Sequence, residues 1–88
     1  MDPDATIDHG APLTPYKQLA GIIVARIDRG DWTPGRAIPA EERLASEYGV
    51  ARTTVHRAIR MLVADGVLFV VPGRGTYVAE EDGGPEAT

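Results

Sequence analysis

Two stretches of this 88-residue sequence hold residue types that do chemistry. The first, VPGRGTYV at 71–78, sets Arg74 between Gly73 and Gly75. Glycine lets a backbone approach a ligand closely, and a basic residue among glycines suits phosphate. The second, ARTTVHRAIRM at 51–61, spaces Arg52, His56 and Arg60 by four, one row of a helix, with Thr53 and Arg57 beside them. No acid interrupts it. Such a face suits a duplex groove, where guanidinium binds guanine edges and hydroxyls bind phosphate.

Catalysis has little to work with. There is no cysteine to act as nucleophile or ligand, His9 lies in an acidic polar stretch, and His56 stands among arginines. Glu41 and Glu42 are adjacent, so they do not share a helix face as an acid–base pair would. GRGT lacks the Gly-Lys-Ser/Thr ending of a nucleotide phosphate loop, and no helix is expected after it. The expectation is a non-enzyme without catalytic residues, metal or cofactor.

The net charge of −4 hides its distribution. All nine Lys and Arg fall between Thr14 and Ala79 with six acids, a span of net charge +3, and the other seven acids occupy the ends. A basic centre between acidic arms is compatible with a DNA partner. No apolar run approaches the roughly 20 residues that span a bilayer. The opening MDPDATIDHG is acidic and polar, unlike a leader peptide. A cytoplasmic protein with no membrane partner is expected.

The elements that position these residues follow from periodicity and breakers. Thr14 suits a helix cap and Pro15 the first helical position. Leu19, Ile23 and Ile27 recur every four residues, with Tyr16 and Ile22 widening the stripe, and Gly30 ends the helix. Ala37-Ile38 has room for a very short strand before Pro39. A second helix is expected over Ala40 to Glu47, a third over Arg52 to Asp65, and a hairpin from strands 67–71 and 75–79. The fold class is α+β, mainly α: three helices, a C-terminal two-stranded hairpin and a very short strand before the second helix. One domain over 13–79 is expected, with a flexible acidic arm at 1–12 and a disordered acidic tail at 80–88.

Between the second and third helices, Ala45, Gly49 and Val55 have the spacing of a helix-turn-helix. The alanine permits a close crossing, the glycine a positive φ in the turn, and the valine fills the gap between the helices. The third helix then presents its Arg/Thr/His face outward.

From about Leu13 to Val78 the chain resembles the winged helix-turn-helix head of the GntR family of bacterial transcription regulators. PGRAIPAEERLA, YGVARTTVHRAI and GRGTYV carry the resemblance, in order and correctly spaced. It implies binding to a palindromic or repeated double-stranded operator, as a homodimer on DNA. It places the third helix in the major groove and the hairpin wing on the adjacent backbone or minor groove. Arg52, Thr53 and Thr54 match positions that contact bases and phosphates, flanked by His56 and Arg57 on the same helix. Gly73, Arg74, Gly75 and Thr76 match the wing tip, and Tyr16 and Lys17 are candidates for phosphate contact. The family commonly has arginine where His56 stands, and often at Glu42, which leaves Arg43 as the nearest base. Serine often occupies the cap positions held here by Ala40 and Ala51. Members usually carry a second, effector-binding domain. Only nine residues follow Ala79, so no small-molecule effector site is expected in this chain.

The alternative is a winged-helix module for protein or RNA contact, offering Trp32, Tyr48, Phe69 and Tyr77. Aromatics at these spacings are expected instead to pack in a small core, with Phe69 against Tyr77.

Overall fold

The computed structural model of the chain describes residues 1–80. The tail expected over 80–88 therefore lies, Glu80 apart, outside the described residues. Helices α1 (Pro15–Arg29), α2 (Glu41–Tyr48) and α3 (Arg52–Ala64) precede strands β1 (Leu68–Val71) and β2 (Gly75–Val78).

α1 starts with Pro15, whose missing N–H costs nothing in the first turn. Thr14 holds the extended cap conformation, but its hydroxyl makes no cap hydrogen bond, contrary to expectation. Only its carbonyl serves the helix, accepting from the Gln18 N–H at 3.0 Å. The helix stops where Gly30 turns to φ 94°, a conformation that disfavours a side chain. α2 runs one residue later than expected, because Ala40 stays extended at the cap position after Pro39. α3 ends one residue early, with Asp65 as its cap. Neither Ala40 nor Ala51 supplies a side-chain cap.

The three helices meet over one apolar core. Leu19, Ile23, Leu44, Val55 and Ala58 are fully buried within it, joined by Ile38, Ala45, Ile59 and Leu62. Ala45 and Val55 occupy the α2–α3 crossing as expected, and Gly49 takes φ 66° in the turn. β1 and β2 pair antiparallel, with Leu68 opposite Val78 and Phe69 opposite Tyr77. Leu68 and Val78 close the core from below the helices. Phe69 and Tyr77 occupy the other face of the hairpin, half-buried and stacked on each other with ring centres 5.7 Å apart. They pack as expected, but beside the core. Trp32 and Tyr48 are half-buried and packed against it.

The short strand before α2 is a single bridge between Ala37 and Tyr77. It is held by the Gly35 N–H on the Val78 carbonyl (2.8 Å), the Val78 N–H on Arg36 (2.9 Å) and the Ile38 N–H on Thr76 (2.9 Å). Pro39 has no donor to continue it. These bonds tie the hairpin to the segment entering α2, which sets where the hairpin tip projects.

The segment expected as a flexible arm makes specific contacts with α1. The buried Gln18 amide donates to the carbonyls of Asp8 (2.8 Å) and Leu13 (2.6 Å) and accepts from the Asp8 N–H (2.9 Å). Ile7 packs against the core. Arg29 reaches Asp4 at 2.8 Å and Asp31 at 2.7 Å, while Arg26 binds Asp31 and Glu47, both at 2.9 Å. Arg26 also lies 4.2 Å over the Trp32 ring. The two arginines in the last turn of α1 favour its negative end and join arm, loop and α2.

The bonds from Arg29, then Arg26, pull the Asp31 carboxyl from its ordinary 3.8 down to about 2. A carboxyl with a lowered folded pKa stabilises the fold while ionised. Its contribution is complete above about pH 4 and is lost as pH falls through about 2. Thermal unfolding of Asp31→Asn should lie below wild type from neutral pH to about pH 4 and converge with it near pH 2. The uncapped start of α3 makes a second expectation. Ala51→Ser should stabilise the domain by about 1 kcal/mol, read as a raised midpoint in urea unfolding.

Candidate nucleic-acid interface

Burial of Val55, Ala58, Ile59 and Leu62 turns the opposite side of α3 to solvent. Arg52, Thr53, His56, Arg57 and Arg60 are exposed there, and Thr54 is half-buried at the edge. Three adjoining depressions carry this surface across the molecule. One lies between the start of α1 and α3, lined by Thr14, Tyr16, Lys17, Thr54 and Arg57. The next lies on α3 against α2, lined by Arg52, Thr53, His56, Arg57 and Glu41. The third runs from Arg52, Glu41 and Glu42 to the hairpin tip with Gly73, Arg74, Gly75 and Thr76. Arg57 is shared by the first pair, and Arg52 and Glu41 by the second.

Tertiary structure thus brings together candidates up to sixty residues apart in the chain, roughly from Tyr16 to Thr76. Tyr16 does more than line the surface. Its ring lies 4.2 Å beneath the Arg57 guanidinium, an attraction between cation and ring face that holds the arginine upright at the α1–α3 seam. Arg43 is the exception: it is exposed on α2 but lines none of the three depressions.

The hairpin tip turns at Val71-Pro72-Gly73-Arg74. Pro72 and Gly73 at its centre, with Gly73 at φ 76° and the Arg74 N–H on the Val71 carbonyl at 2.9 Å, have the pattern of a type II turn. Gly75 follows at φ 135°. Both angles disfavour a side chain, so the glycines that raised the phosphate question are first requirements of the turn. Arg74 projects from it, exposed.

Electrostatics separates this surface from the end of α1. Arg26 and Arg29 are neutralised by Asp4, Asp31 and Glu47. Lys17, Arg52, Arg57, Arg60 and Arg74 make no ion pair among the described residues. Glu41 and Glu42 line depressions with Arg52 and Arg74 but pair with neither, and unpaired cations leave a positive field for an anionic partner.

Two acids, Glu41 and Glu42, enter the surface, and sequence reading missed the contact that Glu41 makes there. The Glu41 Oε2 lies 2.8 Å from the His56 Nδ1. His56 therefore does not stand only among arginines. Glu41 and His56 lie fifteen residues apart on different helices, so no local periodicity joins them. Only the crossing of α2 over α3 does.

A three-helix domain with the second and third helices crossing at a tight turn, and a basic face continued onto a hairpin tip, is a winged helix-turn-helix. Residues 15–78 match the family described as "Bacterial regulatory proteins, gntR family". The chain belongs to that family. It is 44% identical over 73 residues to the histidine utilization repressor of Pseudomonas putida, covering 83% of this chain and 29% of that protein. It is 47% identical over 66 residues to the mannosyl-D-glycerate transport/metabolism system repressor MngR of Escherichia coli, covering 75% and 28%. The chain thus spans less than a third of the length of these relatives. Among solved structures, it is similar to YtrA from Sulfolobus acidocaldarius, a GntR-family transcription factor, with TM-score 0.77 and 37% identity over 86% of this chain and 80% of that one. It is also similar to the DNA-binding domain of AraR in complex with operator ORR3, with TM-score 0.75 and 36% identity over 86% and 92%.

The Tyr16–Arg57 contact can be measured in the isolated chain. A double-mutant cycle of Tyr16→Leu and Arg57→Ala in urea unfolding should give a coupling of about 0.5–1 kcal/mol. Additive effects would mean that the ring does not hold the guanidinium in solution.

Proposed function

We propose that the chain is the sequence-specific, double-stranded DNA-binding part of a transcriptional repressor. The observation that carries this reading is the unneutralised cationic surface running from Lys17 across α3 to Arg74. α3 enters the major groove, where Arg52 binds a guanine edge and Thr53 and Thr54 bind phosphate. Lys17, Tyr16 and the ring-supported Arg57 hold the backbone on one flank. The tip from Gly73 to Thr76 holds the backbone or adjacent minor groove on the other, with Arg74 as its cation. Arg43 adds charge at the rim. The repressor titles of the relatives and the operator complex of AraR support the same reading. We further propose pairing as a homodimer on a palindromic or repeated operator, and action in the cytoplasm by occupying a promoter.

The rival reading, a module for protein or RNA contact, needs an aromatic platform. Trp32 and Tyr48 pack against the core, and Phe69 and Tyr77 stack on each other. None of the four is exposed.

Selection of bound sequences from a random duplex pool tests the proposal and should yield one preferred motif, repeated if the chain pairs. Arg52→Ala should weaken binding to that motif by about 1–3 kcal/mol and relax base preference at one position. Arg74→Ala should weaken binding evenly across sequences and make the log–log salt slope shallower by about 0.9. No enrichment, with binding indifferent to salt, would overturn the reading.

A further inference from the structure

A carboxylate within a DNA-facing surface repels phosphate, so Glu41 is misplaced unless it does something there. Its contacts say what. Although Glu41 lines two depressions with Arg52, the contact it makes is with His56, at 2.8 Å. A carboxylate can only accept a hydrogen bond, so the proton of that contact must sit on the His56 Nδ1. In a neutral imidazole the other nitrogen, Nε2, is then bare and can only accept. Nε2 has no partner among the described residues. The His56 side chain is 58% exposed against 30% for Glu41, so the ring is open to a partner from solvent. It lies in the middle of the α3 row, one turn from Arg52 and one from Arg60.

We propose that Glu41 is a positioning residue that fixes the tautomer of His56, making the neutral ring an acceptor that selects a base offering an amino group. This rests on α3 reading the major groove. There, cytosine presents its N4 amino group and adenine its N6 amino group, whereas guanine presents only the acceptors N7 and O6. A neutral His56 held by Glu41 favours cytosine or adenine at its contact and disfavours guanine. Protonation places a second N–H on Nε2 and reverses the preference toward guanine. Among the charged groups around the ring, Glu41 comes from α2, Arg52, Arg57 and Arg60 from α3 itself, and Glu42 and Arg74 line the neighbouring depression.

The test uses the duplex selected by the wild-type chain and its single-base variants. His56→Ala identifies the contacted position as the one where preference is lost. At pH 8 the wild type should favour cytosine or adenine over guanine there by about fivefold, the ratio of one net hydrogen bond. Glu41→Gln should move the ratio toward guanine, because the amide no longer requires the proton on Nδ1 and, where its NH2 group donates there, leaves the ring proton on Nε2. Circular dichroism should show each variant folded. In a His56→Ala background Glu41→Gln should leave base preference unchanged. An equal shift in that background would mean that Glu41 itself reads the base, and would overturn the proposal. Specific binding with a ratio insensitive to Glu41→Gln would overturn it too, while leaving the DNA-binding reading intact. Loss of all sequence preference in the wild type would instead remove that reading.

Discussion

The surface of this domain depends on one packing constraint, the burial of Val55 between α2 and α3. Val55 is fully buried, Ala45 gives the room for close approach, and Gly49 makes the turn between the helices. An α-helix repeats every 3.6 residues, so burying Val55, Ala58, Ile59 and Leu62 leaves α3 no freedom of rotation. Which residues face outward is then settled. Arg52, His56 and Arg60 form the exposed row because the apolar residues between them are committed to the core. A rigid helix of this kind holds side chains more precisely than a loop could.

Charge is partitioned by the same architecture. The last turn of α1 gathers Asp4, Asp31 and Glu47 around Arg26 and Arg29. That network joins elements far apart in sequence and removes two cations from the account of the surface. The remaining cations of α3 and the hairpin tip keep their field. The chain's acidic balance of −4 therefore describes the molecule poorly as a partner. What a phosphate backbone meets is local, because charges beyond about 10 Å are screened at ordinary salt.

The hairpin joins this surface through backbone bonding to the segment 35–38, which links its second strand to the entry of α2. Leu68 and Val78 anchor its base in the core, while Phe69 and Tyr77 stiffen its other face. The tip thus shares a depression with Arg52 of α3, and Arg74 is exposed on it. The side chain of Gln18 does similar work at the other end, satisfying three backbone groups of residues 8 and 13. Polar residues are buried where they replace the backbone's own partners.

The helices and strands were legible in the sequence to within a residue at most ends. Their causes are local: four-residue apolar spacing, Pro15 at a helix start, and Gly30 and Gly49 at helix ends. The hairpin between the two strands and the outward row of α3 were legible for the same reason, whereas the turn type at Pro72-Gly73 came from the structure. The Thr14 cap was not, since a residue's suitability for a cap does not decide where its hydroxyl turns. The arm on α1, the stacking of Tyr16 beneath Arg57 and the meeting of Glu41 with His56 were also not legible. Each joins residues on different segments, at separations that no helical or strand period encodes. The sequence by itself determined which faces are apolar and hence how each helix must turn. Only the tertiary structure decided which charges share a surface, because that depends on how the helices cross.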